Sequence, residues 1–198
     1  MAILSPAARQ FRSGLAAVGL LLALAGASRA DVEEIAPADG RISLTVAGAA
    51  ALPQRYVRQT GSGATCETAS WDSNRFFGEV GHCAAIGDRF WRRGYVTIDL
   101  LLAHFPFLED FLVEPPSPRR EVVTVIGAMT LYGFAVEDMP GSTSQCTGFV
   151  RGYDSSGTGY REFLVGYVCA DQAARDDAAA DDLMHGLAVR GAFGALLP

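Results

Sequence analysis

Four cysteines constrain the fold of this chain more than any other feature of its sequence. Three disulfide connectivities are possible for Cys66, Cys83, Cys146 and Cys169. We predict Cys66–Cys83 and Cys146–Cys169, because each pair joins sequence neighbours across a stretch rich in turn residues. Each disulfide then closes a loop of about 20 residues, which the chain-entropy model values at ~3 kcal/mol. Zinc is the alternative partner of the cysteines, but the sequence has neither a Cys-x-x-Cys nor a His-x-x-x-His spacing.

Residues 1–30 have the three parts of a secretory signal peptide. Arg9 and Arg12 give a positive start, residues 15–27 are an apolar run, and small residues lead up to Ala30. The apolar run is shorter than the ~20 residues of a spanning helix, and acidic residues begin at Asp31. We therefore predict cleavage after Ala30, with cleavage after Ala27 as the alternative. The predicted location is periplasmic or secreted, an oxidising setting that favours paired cysteines.

Residues 31–198 are predicted to form a single globular domain. Hydrophobic residues make up 49% of the chain, which is enough for a packed core. The formal charge of -6 disfavours a nucleic-acid partner, because phosphate binding needs clustered cations. All 16 cationic residues are arginines, which excludes enzymes that need a Schiff-base or P-loop lysine. The proline-rich residues 115–118 are a possible internal boundary, and we expect no membrane span after signal cleavage.

Apolar patterns in the first half of the domain predict both strands and a helix. Residues 41–52 alternate like a strand, whereas residues 31–40 are predicted to be frayed. Residues 61–73 are rich in Gly, Ser and Thr, which predicts a loop. Residues 74–95 predict short strands and turns. A period close to 3.6 over residues 97–112 predicts a helix that Pro106 ends or kinks.

The second half is richer in strand signals. Residues 121–136 predict one or two strands, with Gly127 at a bulge or turn. Residues 145–170 predict a long hairpin whose open end holds Cys146 beside Cys169. An Ala-rich segment over residues 171–186, with Leu183 and Leu187 four apart, predicts a terminal helix. Together these elements predict a disulfide-stapled α+β fold, in which one or two helices cover an antiparallel sheet of about five to seven strands.

One set of residues follows the order of a serine-protease triad. His82 directly precedes Cys83, Asp99 comes next, and Ser155 and Ser156 lie between Cys146 and Cys169. This order resembles that of chymotrypsin-like serine proteases, and the resemblance implies His82 as base, Asp99 as its orienting acid and Ser155 as nucleophile. The motifs differ from the family's, however: Glu-Val-Gly-His-Cys replaces Thr-Ala-Ala-His-Cys, and Tyr-Asp-Ser-Ser-Gly replaces Gly-Asp-Ser-Gly-Gly. We therefore predict no catalytic residues and keep an exported serine hydrolase as an alternative.

Other groups of charged or titratable residues have ordinary structural explanations. An acidic run consists of Asp171, Asp176, Asp177, Asp181 and Asp182. It has no Gly-centred calcium loop, and acids early in a helix complement the helix dipole. We expect five arginines to neutralise nearby carboxylates: Arg89, Arg92, Arg93, Arg119 and Arg120. The alternative is that they form a site for an anion or a sugar acid. Two histidines stand alone, His104 and His185. We predict neither a metal nor a cofactor.

The C-terminal pattern bears on function as well as on fold. Cys146-x-Gly-Phe149, followed by Leu164-Val-Gly-Tyr-Val-Cys169-Ala and a short helix, resembles small exported bacterial proteins of unknown function. The resemblance implies export and a hairpin–disulfide–helix unit, and it implies no activity. We predict an exported, non-catalytic binding or envelope-accessory protein whose partner is a small ligand or an envelope protein. A secreted interaction module that presents the Phe-rich residues 105–111 is a further alternative.

Overall fold

A computed structural model describes residues 31–44, 54–72, 76–124, 126–139, 141–157, 159–170 and 173–189. The predicted signal peptide lies outside these residues. The strands are β1 (Asp31–Ile35), β2 (Ile42–Leu44), β3 (Gln54–Thr60), β4 (Ala64–Asp72), β5 (Phe76–Ala85), β6 (Trp91–Arg92), β7 (Leu112–Thr124), β8 (Gly127–Met139), β9 (Ser142–Ser156), β10 (Gly159–Ala170) and β11 (Leu187–Val189). The helices are α1 (Asp99–His104), α2 (Phe107–Phe111) and α3 (Ala173–Gly186), with a short 3-10 helix at Arg93–Tyr95.

One large antiparallel sheet combines two sets of sequential strands. Strands β3, β4 and β5 are neighbours in chain order, with β1 beside β3, and strands β7 to β10 are neighbours in the same way. The two sets meet where β10 pairs with β5, over nine residues of each strand. The short β6 also pairs with the beginning of β10, and β2 pairs with β11 in a separate two-stranded sheet. Between β5 and β7 the chain passes through β6, α1 and α2 to reach the far edge of the sheet.

The predicted α+β class is wrong, because the fold is β-rich. Strands account for 66% of the structure and helices for 17%, and the main sheet has nine strands where we expected about five to seven. The extra strands come from segments whose composition is atypical of strands, notably β4 and the proline-containing β7. The three helices are short and lie against the sheet without forming a helical layer. None of the helices in the described part of the chain is long and apolar enough to cross a membrane.

Both disulfides lie inside hairpins, in the pairing that the sequence predicts. Cys66 on β4 is directly opposite Cys83 on β5, and the two are bonded. Cys146 on β9 is directly opposite Cys169 on β10, and these are bonded as well. Each disulfide therefore links adjacent strands of one set, and neither crosses the boundary between β5 and β10.

Each face of the sheet buries its own apolar cluster. On one face, called here the α1/α2 face, α1 and α2 bury Leu101 and Phe105 against Val165 of β10. On the other, the α3 face, α3 buries Leu183 against Leu164, the neighbour of Val165 in the same strand. Successive side chains of a strand point to opposite faces, so a strand covered on both sides reads as a continuous apolar run. The run in β10, where the last eight residues are all buried, has this cause.

The structure also tests the element predictions. The hairpin over residues 145–170, the break at Pro106 between α1 and α2, and the turn at Gly127, whose φ is +99°, are confirmed. Two predictions are wrong: residues 31–35 form β1, and the expected loop over residues 61–73 contains β4. The strand expected over residues 41–52 begins as β2, and its remainder lies outside the described residues. Residues 115–118 lie within β7, an edge strand whose pairing with β8 is irregular around the prolines; edge strands and bulges are the places where a sheet tolerates proline.

Candidate functional site

A row of charged residues crosses four strands at one level of the sheet. Glu33 on β1 is opposite Arg58 on β3. Arg58 is opposite Glu67 on β4, which is opposite His82 on β5. Directly opposite residues of an antiparallel pair share a face of the sheet. His82 is in turn opposite Leu164, a member of the cluster under α3, so the whole row lies on the α3 face.

Glu67 is the buried carboxylate of this row, with only 4% of its surface exposed. Arg58 donates to its Oε1 from Nε at 3.0 Å, and the Arg58 Nη2 atom, which donates to the Asp39 carbonyl, lies 2.9 Å from the same oxygen. The backbone N–H of Arg41 donates to Oε2 at 2.5 Å. Arg58 also donates from Nη1 to Glu33, and hydrogen bonding to Glu67 raises the pKa of Arg58 above its ordinary value. Both oxygens of Glu67 and most donors of Arg58 are therefore used within the protein.

His82 forms the second buried pair, with Glu162 of β10. The His82 Nε2 and Glu162 Oε2 atoms are 2.8 Å apart, and only 2% of the His82 side chain is exposed. Arg41 approaches the other oxygen of Glu162 at 3.9 Å, a separation too long for a good hydrogen bond. The Arg41 side chain is 46% exposed. Of the charged groups around Glu67 and Glu162, Arg41 thus has the weakest side-chain contacts.

Several of these groups line a cavity of about 350 Å³. Its polar wall is formed by Arg41, Arg58, Thr65, Glu67 and His82, and its apolar wall by Ala84, Ala85 and Ile86. Sites for small molecules usually have volumes of about 300–1,000 Å³ and combine apolar walls with a few fixed polar groups. The cavity has both properties, at the small end of the size range.

The structure does not bring the three residues of the serine-protease alternative together. His82 lies on the α3 face, whereas Asp99 begins α1, which packs on the opposite face. Asp99 is exposed and accepts a hydrogen bond from Thr97 at 3.4 Å. The backbone of Ser155 lies in β9 and its side chain is outside the described part. The acid that contacts His82 is Glu162, which the sequence comparison with proteases did not single out.

The other charged groups of the sequence analysis are dispersed. Asp181 of the acidic run is paired with Arg120 at 2.5 Å, and Asp182 is exposed. Within the described residues, no three His, Cys, Asp or Glu side chains stand close enough to hold a metal ion. The expected neutralisation by a carboxylate is therefore seen for Arg120. Arg89, Arg92 and Arg93 are exposed and have no carboxylate within 4.0 Å in the described part of the chain.

The Phe-rich residues 105–111 are mostly interior. Phe105 is buried and Phe107 is half-buried, and both rings pack against Tyr167 of β10. Phe111 is the exposed member, with half of its surface accessible. The segment therefore contributes mainly to the core of the α1/α2 face and presents one of its three phenylalanines outward.

Glu79 and His104 are titratable residues on the α1/α2 face. Burial raises the pKa of Glu79, on β5 opposite Tyr167, to about 7, against a smaller lowering by Arg55. Burial lowers the pKa of His104, on α1, to about 4, so this lone histidine is a neutral core residue. Its ring packs edge-on against Phe105 and Phe163. Neither residue lines the cavity.

The sequence singled out His82 but missed its partners. Glu162 is 80 residues away, and Glu67 falls in a segment that we expected to be a loop. Glu67 could have been found from one signal. Charged residues that lie opposite one another on neighbouring strands form cross-strand pairs, so recognising β3 and β4 as neighbours would have paired Glu67 with Arg58. No such local signal exists for Glu162.

The chain matches no family model, no curated protein and no solved structure. Its function is therefore argued from its own geometry.

Proposed function

We propose that this is an exported protein that binds a small organic acid in the cavity on the α3 face. The proposal depends on one observation, the preformed polar wall of that cavity. The buried Glu67 and the half-buried Glu162 hold Arg58 and His82 in fixed positions, while Arg41 stays nearly half exposed at 3.9 Å from its partner. A pre-organised site of this kind loses little conformational entropy when a ligand binds.

The charges of the cavity favour an acidic group on the ligand. Glu67 is already paired with Arg58, and Glu162 is hydrogen-bonded to His82. Arg41 is left with guanidinium donors to spare, and a planar carboxylate matches their fork geometry. The Thr65 hydroxyl offers a further polar contact. Ala84, Ala85 and Ile86 then face the apolar part of the same ligand.

The proposal of a binding protein, as opposed to a hydrolase, follows from what surrounds His82. A catalytic triad needs a base that contacts both an orienting acid and a nucleophile. His82 has the acid, Glu162. Among the residues that line the cavity, Thr65 is the one with a hydroxyl, and no hydrogen bond joins it to His82.

Export is supported by two observations of different kinds. The two disulfides are compatible with an oxidising compartment, where such bonds form and persist. The N-terminal residues have the layout of a signal peptide, and the predicted cleavage after Ala30 releases the chain at Asp31, the first residue of β1.

Binding can be tested by titrating the purified protein with a panel of small carboxylic acids and, separately, a matched panel of small amines. We expect saturable heat changes and a raised melting temperature with at least one acid. Arg41→Gln should lower the affinity for that acid by roughly 10-fold or more, since a charge-assisted hydrogen bond contributes about 1.5–3 kcal/mol.

Arg55→Gln is the matched control, because it removes one exposed arginine whose partner is Glu34, away from the cavity lining. It should bind the acid as the wild type does. Equal weakening in both variants, or saturable binding of amines without binding of acids, would contradict the proposed ligand class.

A further inference from the structure

A short segment after β5 carries several exposed large hydrophobic side chains. Ile86 is 43% exposed, Phe90 48% and Tyr95 46%. They are three of the seven large hydrophobic side chains that the described residues expose, and they fall within ten consecutive positions. Clustered apolar side chains on a surface mark a contact with another molecule more often than single ones do.

Three arginines are interleaved with these apolar residues. Arg89, Arg92 and Arg93 are exposed, and in the described part of the chain none of them forms an ion pair with a carboxylate. The chain as a whole has a formal charge of -6, so this concentration of cations is local. We call the combined set the aromatic–arginine surface; it consists of Ile86, Arg89, Phe90, Arg92, Arg93 and Tyr95.

The aromatic–arginine surface is held in place by the end of the sheet behind it. The backbone N–H of Ile86 donates to the carbonyl of Gly63 at 3.0 Å, and Arg161 donates to the carbonyl of Gly87. Strand β6 pairs with the start of β10, and the Arg93 guanidinium lies 5.8 Å from the centre of the Tyr160 ring. These contacts fix the backbone that carries the exposed side chains, at the end of the sheet where the chain leaves β5 and enters β6.

We infer that the aromatic–arginine surface docks on an anionic phospholipid bilayer. Aromatic side chains favour the interface of a bilayer, where the ring is partly immersed and the polar end stays wet. Each arginine close to an anionic leaflet gains electrostatic attraction, and apolar side chains such as Phe90 and Ile86 gain by entering the acyl boundary. Acidic polysaccharide is the other polyanion that an exported protein meets, but it offers no hydrocarbon for Ile86 and Phe90.

Co-sedimentation with vesicles tests the inference on the processed protein released by an exporting host. The probes are vesicles of phosphatidylcholine alone and of phosphatidylcholine mixed with phosphatidylglycerol. We expect binding to the mixed vesicles only, and weaker binding when NaCl is raised from ~0.1 M to ~1 M, which shortens the Debye length from about 10 Å to about 3 Å. The double variant Arg92→Gln/Arg93→Gln should lose roughly 30-fold in affinity, at about fivefold per arginine.

The matched control is Arg55→Gln/Arg120→Gln, which makes the same change in net charge at two arginines outside the aromatic–arginine surface. It should keep the wild-type affinity. Phe90→Ala tests the apolar contribution without a charge change, and it should also bind more weakly. The salt titration uses the wild type alone, so it stands even if a variant folds poorly.

Three results would overturn the inference. The first is equal vesicle binding by the Arg92/Arg93 variant and its control. The second is sedimentation with an acidic polysaccharide gel in place of the mixed vesicles. The third is no salt-sensitive binding of the wild type to either kind of vesicle.

Discussion

Glu79→Gln should reveal how much one titrating carboxyl group lowers the stability of this protein near neutral pH. Strand β5 holds the Glu79 carboxyl on the α1/α2 face, opposite Tyr167, and burial raises its pKa to about 7 from an ordinary 4.5. The charge of Arg55 acts in the opposite direction and is the smaller influence. Glutamine has the shape of a protonated glutamate, so the variant keeps the packing and removes the titration.

The sign of the effect follows from which state binds the proton. Between pH 4.5 and about 7 the folded protein keeps the Glu79 proton, whereas the unfolded chain releases it, so this carboxyl costs stability as the pH rises. The shift from 4.5 to about 7 corresponds to about 3 kcal/mol, at 1.36 kcal/mol for each pKa unit. The penalty is absent below pH 4.5 and fully present above the folded pKa.

His104 acts in the opposite direction and must be separated from Glu79. Its folded pKa of about 4 lies below the ordinary 6.5, so the unfolded chain alone takes up this proton as the pH falls from 6.5 to 4. That uptake destabilises the fold at low pH and offsets the trend of Glu79 in the wild type. The difference between wild type and Glu79→Gln cancels the His104 contribution.

Urea denaturation of both proteins in their oxidised form, at a series of pH values from 4.5 to 8, measures that difference. Glu79→Gln should match the wild type at the lowest pH and exceed its free energy of unfolding by about 3 kcal/mol at the highest. A difference that stays constant across the series would refute the reasoning, because it would mean that the Glu79 carboxyl titrates alike in both states.

Three further predictions concern the export signal, the apparent triad and the C-terminal disulfide. Intact mass of the exported protein should correspond to a chain that begins at Asp31; a stable full-length species extracted from membranes would contradict this. A serine-reactive fluorophosphonate should not label the purified protein, and Ser155→Ala should behave as wild type; labelling that disappears in the variant would restore the hydrolase. Cys169→Ser should lower the free energy of unfolding by roughly 2–5 kcal/mol, measured in urea. Peptide mapping without reduction should recover Cys146 joined to Cys169, and a fragment that joins either to Cys66 or Cys83 would count against the hairpin.

The parts of the fold that local sequence determines could be predicted. The hairpin of β9 and β10 follows from two apolar arms around a turn rich in Gly and Ser, and its register sets Cys146 opposite Cys169. The break between α1 and α2 follows from Pro106, since proline cannot continue a helix interior. Each of these features is decided by residues close together in the chain.

Strand β4 could not be predicted in the same way. Small and polar residues such as Thr65 and Ser70 are typical of loops, and they hide the alternation in which Glu67, Ala69 and Trp71 are buried. The strand exists because β3 and β5 pair with it on both sides and because Cys66 is bonded to Cys83. Strand preference depends mostly on such neighbours and much less on the residues themselves.

Part of the candidate site could be predicted from the sequence, and part of it could not. His82 stands out in the sequence because it directly precedes a cysteine, and a histidine in that position indicated a triad with Asp99. Its real partner, Glu162, reaches it only because β10 pairs with β5, although four strands, α1 and α2 lie between them in the sequence. Pairing between distant strands leaves no periodic mark in the sequence, so the cavity became visible only in the fold.

The placement of the disulfides has a consequence for how the chain matures. Each bond joins a cysteine to the next one along the sequence, within two strands that are hairpin neighbours. For a chain threaded from its N-terminus into an oxidising compartment, Cys66 and Cys83 are both available before Cys146 arrives. An oxidase that joins thiols in their order of emergence then yields the native bonds directly, and no isomerase is needed to reshuffle them.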